Sequence, residues 1–212
     1  MTGIDHQRRR LAIALAALAG FVDAVGFLSA DGYFVSFMSG NSTRLGVSLG
    51  TDPAHAVVPA LLIAGFLGGV TGGALLARRA GIHRKGAVLA LVAAMLLIAA
   101  LARASGLHVL MLAGMVVAMG ALNNTFQRDG EVTVGLTYMT GALVKLGQGL
   151  ANTLAGQANA GWSGWAALWG GLLGGAVLGA FAQDRVPMVC MWIAAGWAAL
   201  MLIPAFRLPE ES

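Results

Sequence analysis

Charge is scarce in this sequence: Asp, Glu, Lys and Arg make up 10% of the residues, against 58% hydrophobic. An ordinary soluble domain carries about a quarter charged residues, so too few remain here to solvate a globular surface. Cysteine is nearly absent as well. The single Cys190 cannot pair within the chain, which excludes a disulfide framework, and it reads as a small apolar filler. His6, His55, His83 and His108 are scattered, so no metal site is expected. No glycine loop followed by Lys and Ser or Thr offers a phosphate cradle, and no cofactor is expected. The loops are too short to hold a soluble catalytic domain. The net charge of +4 is no nucleic-acid footprint, because the basic residues flank apolar runs, where they set orientation.

Those apolar runs are what the sequence does have. Leu11–Val22, Val57–Ala77, Ala87–Ala102, Leu107–Leu122, Trp165–Ala182 and Val186–Ala205 are each nearly free of charge. With a few flanking residues each approaches the roughly 20 residues that a bilayer span needs. The expected fold is therefore an all-α integral membrane protein with spans near 11–30, 57–77, 86–103, 107–127, 162–182 and 186–206. Arg8-Arg9-Arg10 followed by an apolar stretch resembles a secretion signal with a cleavage site near Ala17-Leu18-Ala19. Retention is expected instead, because this stretch has a counterpart in mid-chain.

The counterpart belongs to an internal repeat. Met38-Ser39-Gly40 matches Met139-Thr140-Gly141 at an offset of 101 residues, which also sets Arg44 on Lys145 and Asp23 on Asn124. One inserted residue later, Gly68-Gly69 and Gly72-Gly73 fall on Gly170-Gly171 and Gly174-Gly175. The chain divides into halves 1–103 and 104–212, each a span, a shorter polar segment (32–50 and 133–153) and two further spans. If neither polar segment crosses, Arg8, Arg9, Arg10, Arg78, Arg79, Arg84, Lys85, Arg128 and Arg207 share one side, with Arg103 and Arg185 opposite. That distribution obeys the positive-inside bias. It places the protein in a bacterial inner membrane with both termini cytoplasmic. The tally is the same if 133–153 alone crosses, so for that segment the expectation rests on the repeat. Three spans per half invert the second half relative to the first.

At Asp23-Ala24, late in the first span, and Met38-Ser39-Gly40-Asn41 after it, the sequence resembles the YoaK-like family of bacterial membrane proteins, which has no established function. The family usually shows threonine where Ser39 stands; the hydroxyl is kept. The resemblance covers nearly the whole chain and implies a six-span inner-membrane protein, without a substrate.

Several polar residues stand out within this apolar frame. An ionised carboxylate in a span costs about 2.5–3.5 kcal/mol on insertion scales and normally has a partner. Asp23 is thus a proton or cation site, or else a structural ion pair or helix cap. Arg44 and Lys145, equivalent and both basic, either face a shared cavity or snorkel to the headgroups. Ser36, Ser39, Gly40, Thr43, Gly46 and Gly50 recur at helical spacing, and Thr137, Thr140, Gly141, Gly147 and Ala151 repeat most of that face. Gly40-Asn41 offers a helix break, with Asn41 or Ser42 capping a new half-helix whose N-terminus would attract anions. The glycines at 68, 69, 72, 73, 170, 171, 174 and 175 read as close packing of spans, within the chain or in a homo-oligomer. Trp162, Trp165 and Trp169 read as interface anchors.

Matched interrupted segments in inverted halves point to a transporter's binding site. The expected function is a small secondary transporter or channel-like carrier of a small solute, anionic if the basic pair faces it. Its path is lined by Asp23, Ser39, Gly40, Asn41, Thr43, Arg44, Asn123, Asn124, Thr140, Gly141 and Lys145. The alternatives are a membrane enzyme acting on a lipid or hydrophobic small molecule, with Asp23 as acid or base, and a non-catalytic assembly partner docking through its glycine faces. The sequence shows no nucleophile–base pair, which ranks the enzyme lower.

Overall fold

The computed structural model describes residues 6–128, 131–132, 134–157 and 162–208. Apolar runs become helices because lipid offers the backbone no hydrogen-bond partner, whereas a helix satisfies its own. In chain order they are α1 (His6–Ser29), α2 (Met38–Thr51), α3 (Val57–Ala80), α4 (Arg84–Ala104), α5 (His108–Leu122), α6 (Met139–Leu154), α7 (Trp162–Arg185), α8 (Cys190–Leu200) and α9 (Leu202–Arg207). A two-residue antiparallel clip, β1 (Gln127–Arg128) with β2 (Glu131–Val132), follows α5. Apart from this clip the described secondary structure is helical. Among the described residues four helical stretches are long and apolar enough to cross a bilayer: His6–Ser29, Pro53–Ala104 (which takes in α3 and α4), Trp162–Arg185 and Cys190–Arg207. Their outward faces carry exposed Leu61, Leu67, Val177 and Phe181, as helices apolar all round do in lipid.

The polar segments become the short helices α2 and α6, of 14 and 16 residues. At 1.5 Å per residue they reach roughly 21 and 24 Å, less than the ~30 Å hydrocarbon core. The break expected at Gly40-Asn41 is not there. α2 runs unbroken from Met38, with Phe37 at its N-cap, so Asn41 lies inside the first turn rather than capping it. Ser36 and Thr137 accordingly precede their helices instead of sharing a helical face with Ser39 and Thr140.

Two further differences have local causes. α5 stops at Leu122, short of the expected 107–127. There Thr125 turns the chain, its N–H and its hydroxyl both donating to Leu122 O at 3.1 and 2.7 Å. The last run is split at Met201 into α8 and α9, where Pro204 in the first turn of α9 has no N–H for the carbonyl four residues back. α4 and α6 end alike, on Gly106 and Gly156 at φ +71° and +76°. Leu107 and Gly106 donate back to Ala102 O and Arg103 O, and Gln157 and Gly156 donate to Asn152 O and Thr153 O, the six-to-one turn that glycine closes.

Glycines set how the spans pack. A Cβ at Gly175 would run into Ala17 O and one at Gly179 into Phe21 O, while one at Gly171 would sit 2.9 Å from Ile13 O. The contact numbers rise together, so α1 and α7 are parallel with backbones in direct apposition. α5 and α3 form a second parallel pair: Gly69 abuts Val117, Gly73 abuts Ala121, and Gly120 abuts Phe66 O. α2 lies along α3, and α6 along α7. The second glycine column is different, for nothing lies within 4 Å of a Cβ at Gly68, Gly72, Gly170 or Gly174.

The parallel pairs fix the ends of the bundle. Phe206 of α9 packs on Gly86, and its ring lies 6.5 Å from that of His83, so the α3–α4 turn sits beside the C-terminal helix. Gln7 and Arg10 of α1 share a cleft with Arg207. Arg8, Arg9, Arg10, Arg78, Arg79, Arg84, Lys85 and Arg207 therefore belong to one end. Arg103 and Arg185 close α4 and α7 at the opposite end.

Candidate functional site

The site begins with the extended chain between α1 and α2. Asp23, partly buried near the end of α1, accepts the N–H groups of Val35 at 2.9 Å and Ser36 at 2.8 Å, both on Oδ1. Asn41, fully buried, grips the same strand of chain from the other side. Its Nδ2 donates to Phe34 O at 2.7 Å, and its Oδ1 accepts Phe34 N–H at 3.1 Å. Phe34 also contacts the rings of Phe27 and Phe37, with centroids at 4.9 and 5.1 Å. Residues 34–37 are thus fixed on both flanks, and they deliver the chain into the first turn of α2.

The chain between α5 and α6 is held in a comparable way, with an asparagine as the anchor. Asn123, at the end of α5, accepts Thr137 N–H at 3.4 Å and the Thr137 hydroxyl at 3.2 Å on its Oδ1, while its Nδ2 donates to Met119 O at 3.0 Å. Thr137 stands 101 residues after Ser36, so it is Asn123 and not Asn124 that holds the chain before α6 as Asp23 holds the chain before α2. Asn124 instead ties α5 to α3, donating to Val70 O at 2.9 Å and accepting from Gln127. Ala142, buried, occupies the place of Asn41.

Both short helices open onto one cavity of about 270 Å³. Residues 36–39 and 137–141 line it, together with Phe66 of α3. Neither helix has a side-chain cap at its start. The first N–H groups of a helix have no intrahelical partner, and the aligned peptides place roughly half a positive charge there. Two such ends meet at this cavity, and no charged side chain lines it. Ser36, Ser39, Thr137 and Thr140 contribute hydroxyls, and Met38 and Met139 contribute soft sulfur. Such a lining can hold a small polar or anionic group; it holds no acid–base pair for catalysis.

Of the residues singled out from sequence, Ser36, Ser39, Thr137, Thr140 and Gly141 line the cavity. Asp23, Asn41 and Asn123 stand behind it, fixing the lining segments, and Gly40 packs under Phe37 and Phe34. Thr43 is exposed and returns its hydroxyl to Ser39 O at 3.1 Å. Arg44 and Lys145 do not face a common space. Arg44 lies over the Tyr33 ring at 4.7 Å and Lys145 over the Trp165 ring at 5.5 Å. Among the described residues no ion pair joins either to Asp23. An aromatic face satisfies a cation where lipid would otherwise meet it, which explains why both positions are basic without either lining the cavity. Phe37, Met38, Phe66, Tyr138 and Met139 were not foreseen as lining residues. Their signal was present in the matched Met38 and Met139 of the repeat.

A family described as a protein of unknown function (DUF1275) matches residues 11–203. A relative from Rhizobium meliloti (strain 1021), named UPF0700 transmembrane protein RA0705, is 36% identical over 213 residues, covering 98% of this chain and 92% of its own. No solved structure matches.

Proposed function

The chain belongs to the DUF1275 family and is a membrane protein, and from that premise we propose that it is a small secondary transporter or channel-like carrier of a small anionic solute. The path runs between halves 1–103 and 104–212, which are inverted copies of one unit. The protein sits in a bacterial inner membrane with both termini cytoplasmic. α1 with α7 and α5 with α3 are the two parallel pairs such inversion requires. The observation that carries the reading is the single cavity on which residues 36–39 and 137–141 converge, each at the start of an uncapped half-length helix. Helix ends of this kind recur at binding sites between inverted halves. The anion preference comes from the two helix starts and not from Arg44 or Lys145.

The test is flux in proteoliposomes carrying the purified full chain, with a panel of small inorganic and organic anions and matched cations. Gly141 lines the cavity and a Cβ there meets nothing within 4 Å, so Gly141→Phe is expected to fold and to crowd the cavity. Anion flux is expected for the native chain and about tenfold less for Gly141→Phe, with melting temperature unchanged. A panel that yields no flux, or flux indifferent to Gly141→Phe, sinks the proposal.

A further inference from the structure

A second cavity, about 470 Å³, lies at the end of the bundle where the chain ends meet, between the first turns of α1 and the break at α9. Gln7, Arg10, Leu11 and Ala14 follow each other at three- and four-residue steps and so share one face of α1. Across the cleft stand Met201, Ile203, Pro204, Arg207 and Leu208. The two cations, Arg10 and Arg207, are exposed at its mouth, whereas Leu11 and Leu208 are buried in its floor. Among the described residues neither guanidinium has a carboxylate partner.

We propose that this cleft is a specific seat for an anionic phospholipid, whose phosphate bridges Arg10 and Arg207 while an acyl chain lies along Leu11, Ala14 and Ile203. The bidentate fork of arginine suits a phosphate, and basic pockets between spans at a membrane face bind anionic headgroups. The apolar wall selects a lipid over a free anion, which would leave Ala14 and Ile203 uncovered. A general attraction between anionic lipid and this basic end would draw equally on Arg78 and Arg79, which are exposed at the same end. The seat draws on Arg10 and Arg207 alone.

Native mass spectrometry of the full chain, released from mild detergent with phosphatidylglycerol or phosphatidylcholine added, reads this directly. One retained phosphatidylglycerol per chain is expected, with little phosphatidylcholine. Arg10→Gln/Arg207→Gln should cut that adduct about thirtyfold, at roughly 1 kcal/mol per cation, and Arg78→Gln/Arg79→Gln should leave it. Ala14→Phe, which keeps both cations and fills the floor, should also cut it; this variant serves if the double variant fails to fold. Equal retention of both lipids, equal loss in the Arg78/Arg79 variant, retention in Ala14→Phe, or full competition by millimolar inorganic phosphate would each overturn the seat.

Discussion

A single oxygen of Asp23 receives two backbone N–H groups, from Val35 and Ser36. Since the geometry asks for an acceptor and not for a charge, asparagine can fill the position, as Asn123 does opposite Thr137. Removing the acceptor altogether is another matter, because a partly buried donor left without a partner costs about 1–3 kcal/mol. Asp23→Ala should therefore lower stability by about 2 kcal/mol in thermal unfolding in detergent, while Asp23→Asn stays within about 1 kcal/mol of the native chain. If Asp23→Asn is stable yet abolishes flux, the charge itself takes part in transport; if Asp23→Ala is as stable as the native chain, the anchoring role is wrong. An acid within an apolar run was legible in the sequence as a residue needing a partner. The partner was not, because it is backbone, and backbone donors leave no mark in a residue list. The same blindness set Asn124 against Asp23. The offset of 101 is true for Ser36 and Thr137, but the chain between α5 and α6 shifts the anchoring side chain by one.

At the scale of elements the glycines decide the packing, and only one column of each pair does so. Doubled glycines place two columns about 100° apart on a helix, and composition gives no sign of which column meets a neighbour. The column in contact is Gly65, Gly69 and Gly73 on α3, and Gly171, Gly175 and Gly179 on α7. Its outer members, Gly65 and Gly179, lie beyond the matched sequence blocks, so the packed ladders are one turn out of register with the repeat. A Cβ at Gly175 would collide with Ala17 O, whereas one at Gly174 meets nothing. Gly175→Ala should cost about 1–3 kcal/mol by forcing α1 and α7 apart. Gly174→Ala should be neutral or slightly stabilising, since alanine favours helix over glycine by up to ~1 kcal/mol. Both are read from melting temperatures in one detergent; equal effects would mean the α1–α7 apposition is not as described. The starts of the short helices were misplaced from sequence for a related reason. Gly40-Asn41 looks like a stop and a cap, yet Asn41 spends both ends of its amide on Phe34, so the helix begins earlier, where Asp23 and Asn41 deliver the chain.

For the whole molecule the open matter is which faces the short helices reach. Charge alone leaves two arrangements of residues 133–153 equally good, because a crossing there exchanges the sides of Arg185 and Arg207 and keeps the tally the same. The parallel pairings favour the first arrangement: α7 runs with α1 and α5 with α3, so α6, between α5 and α7 in the chain, is expected to return to the side it left. Surface residues at the turns make this measurable. Ile82, in the α3–α4 turn, is 78% exposed; Val109, at the start of α5, 84%; Leu154, at the end of α6, 90%. Cys190 is fully buried and serves as the unreactive internal control. In spheroplasts, a membrane-impermeant maleimide should label Val109→Cys at once, and should reach Ile82→Cys and Leu154→Cys only after permeabilisation. Leu154→Cys labelled together with Val109→Cys would put α6 across the bilayer. The starts of α2 and α6 would then no longer face each other from opposite sides of the membrane, and a cavity between them would lose its meaning as a path.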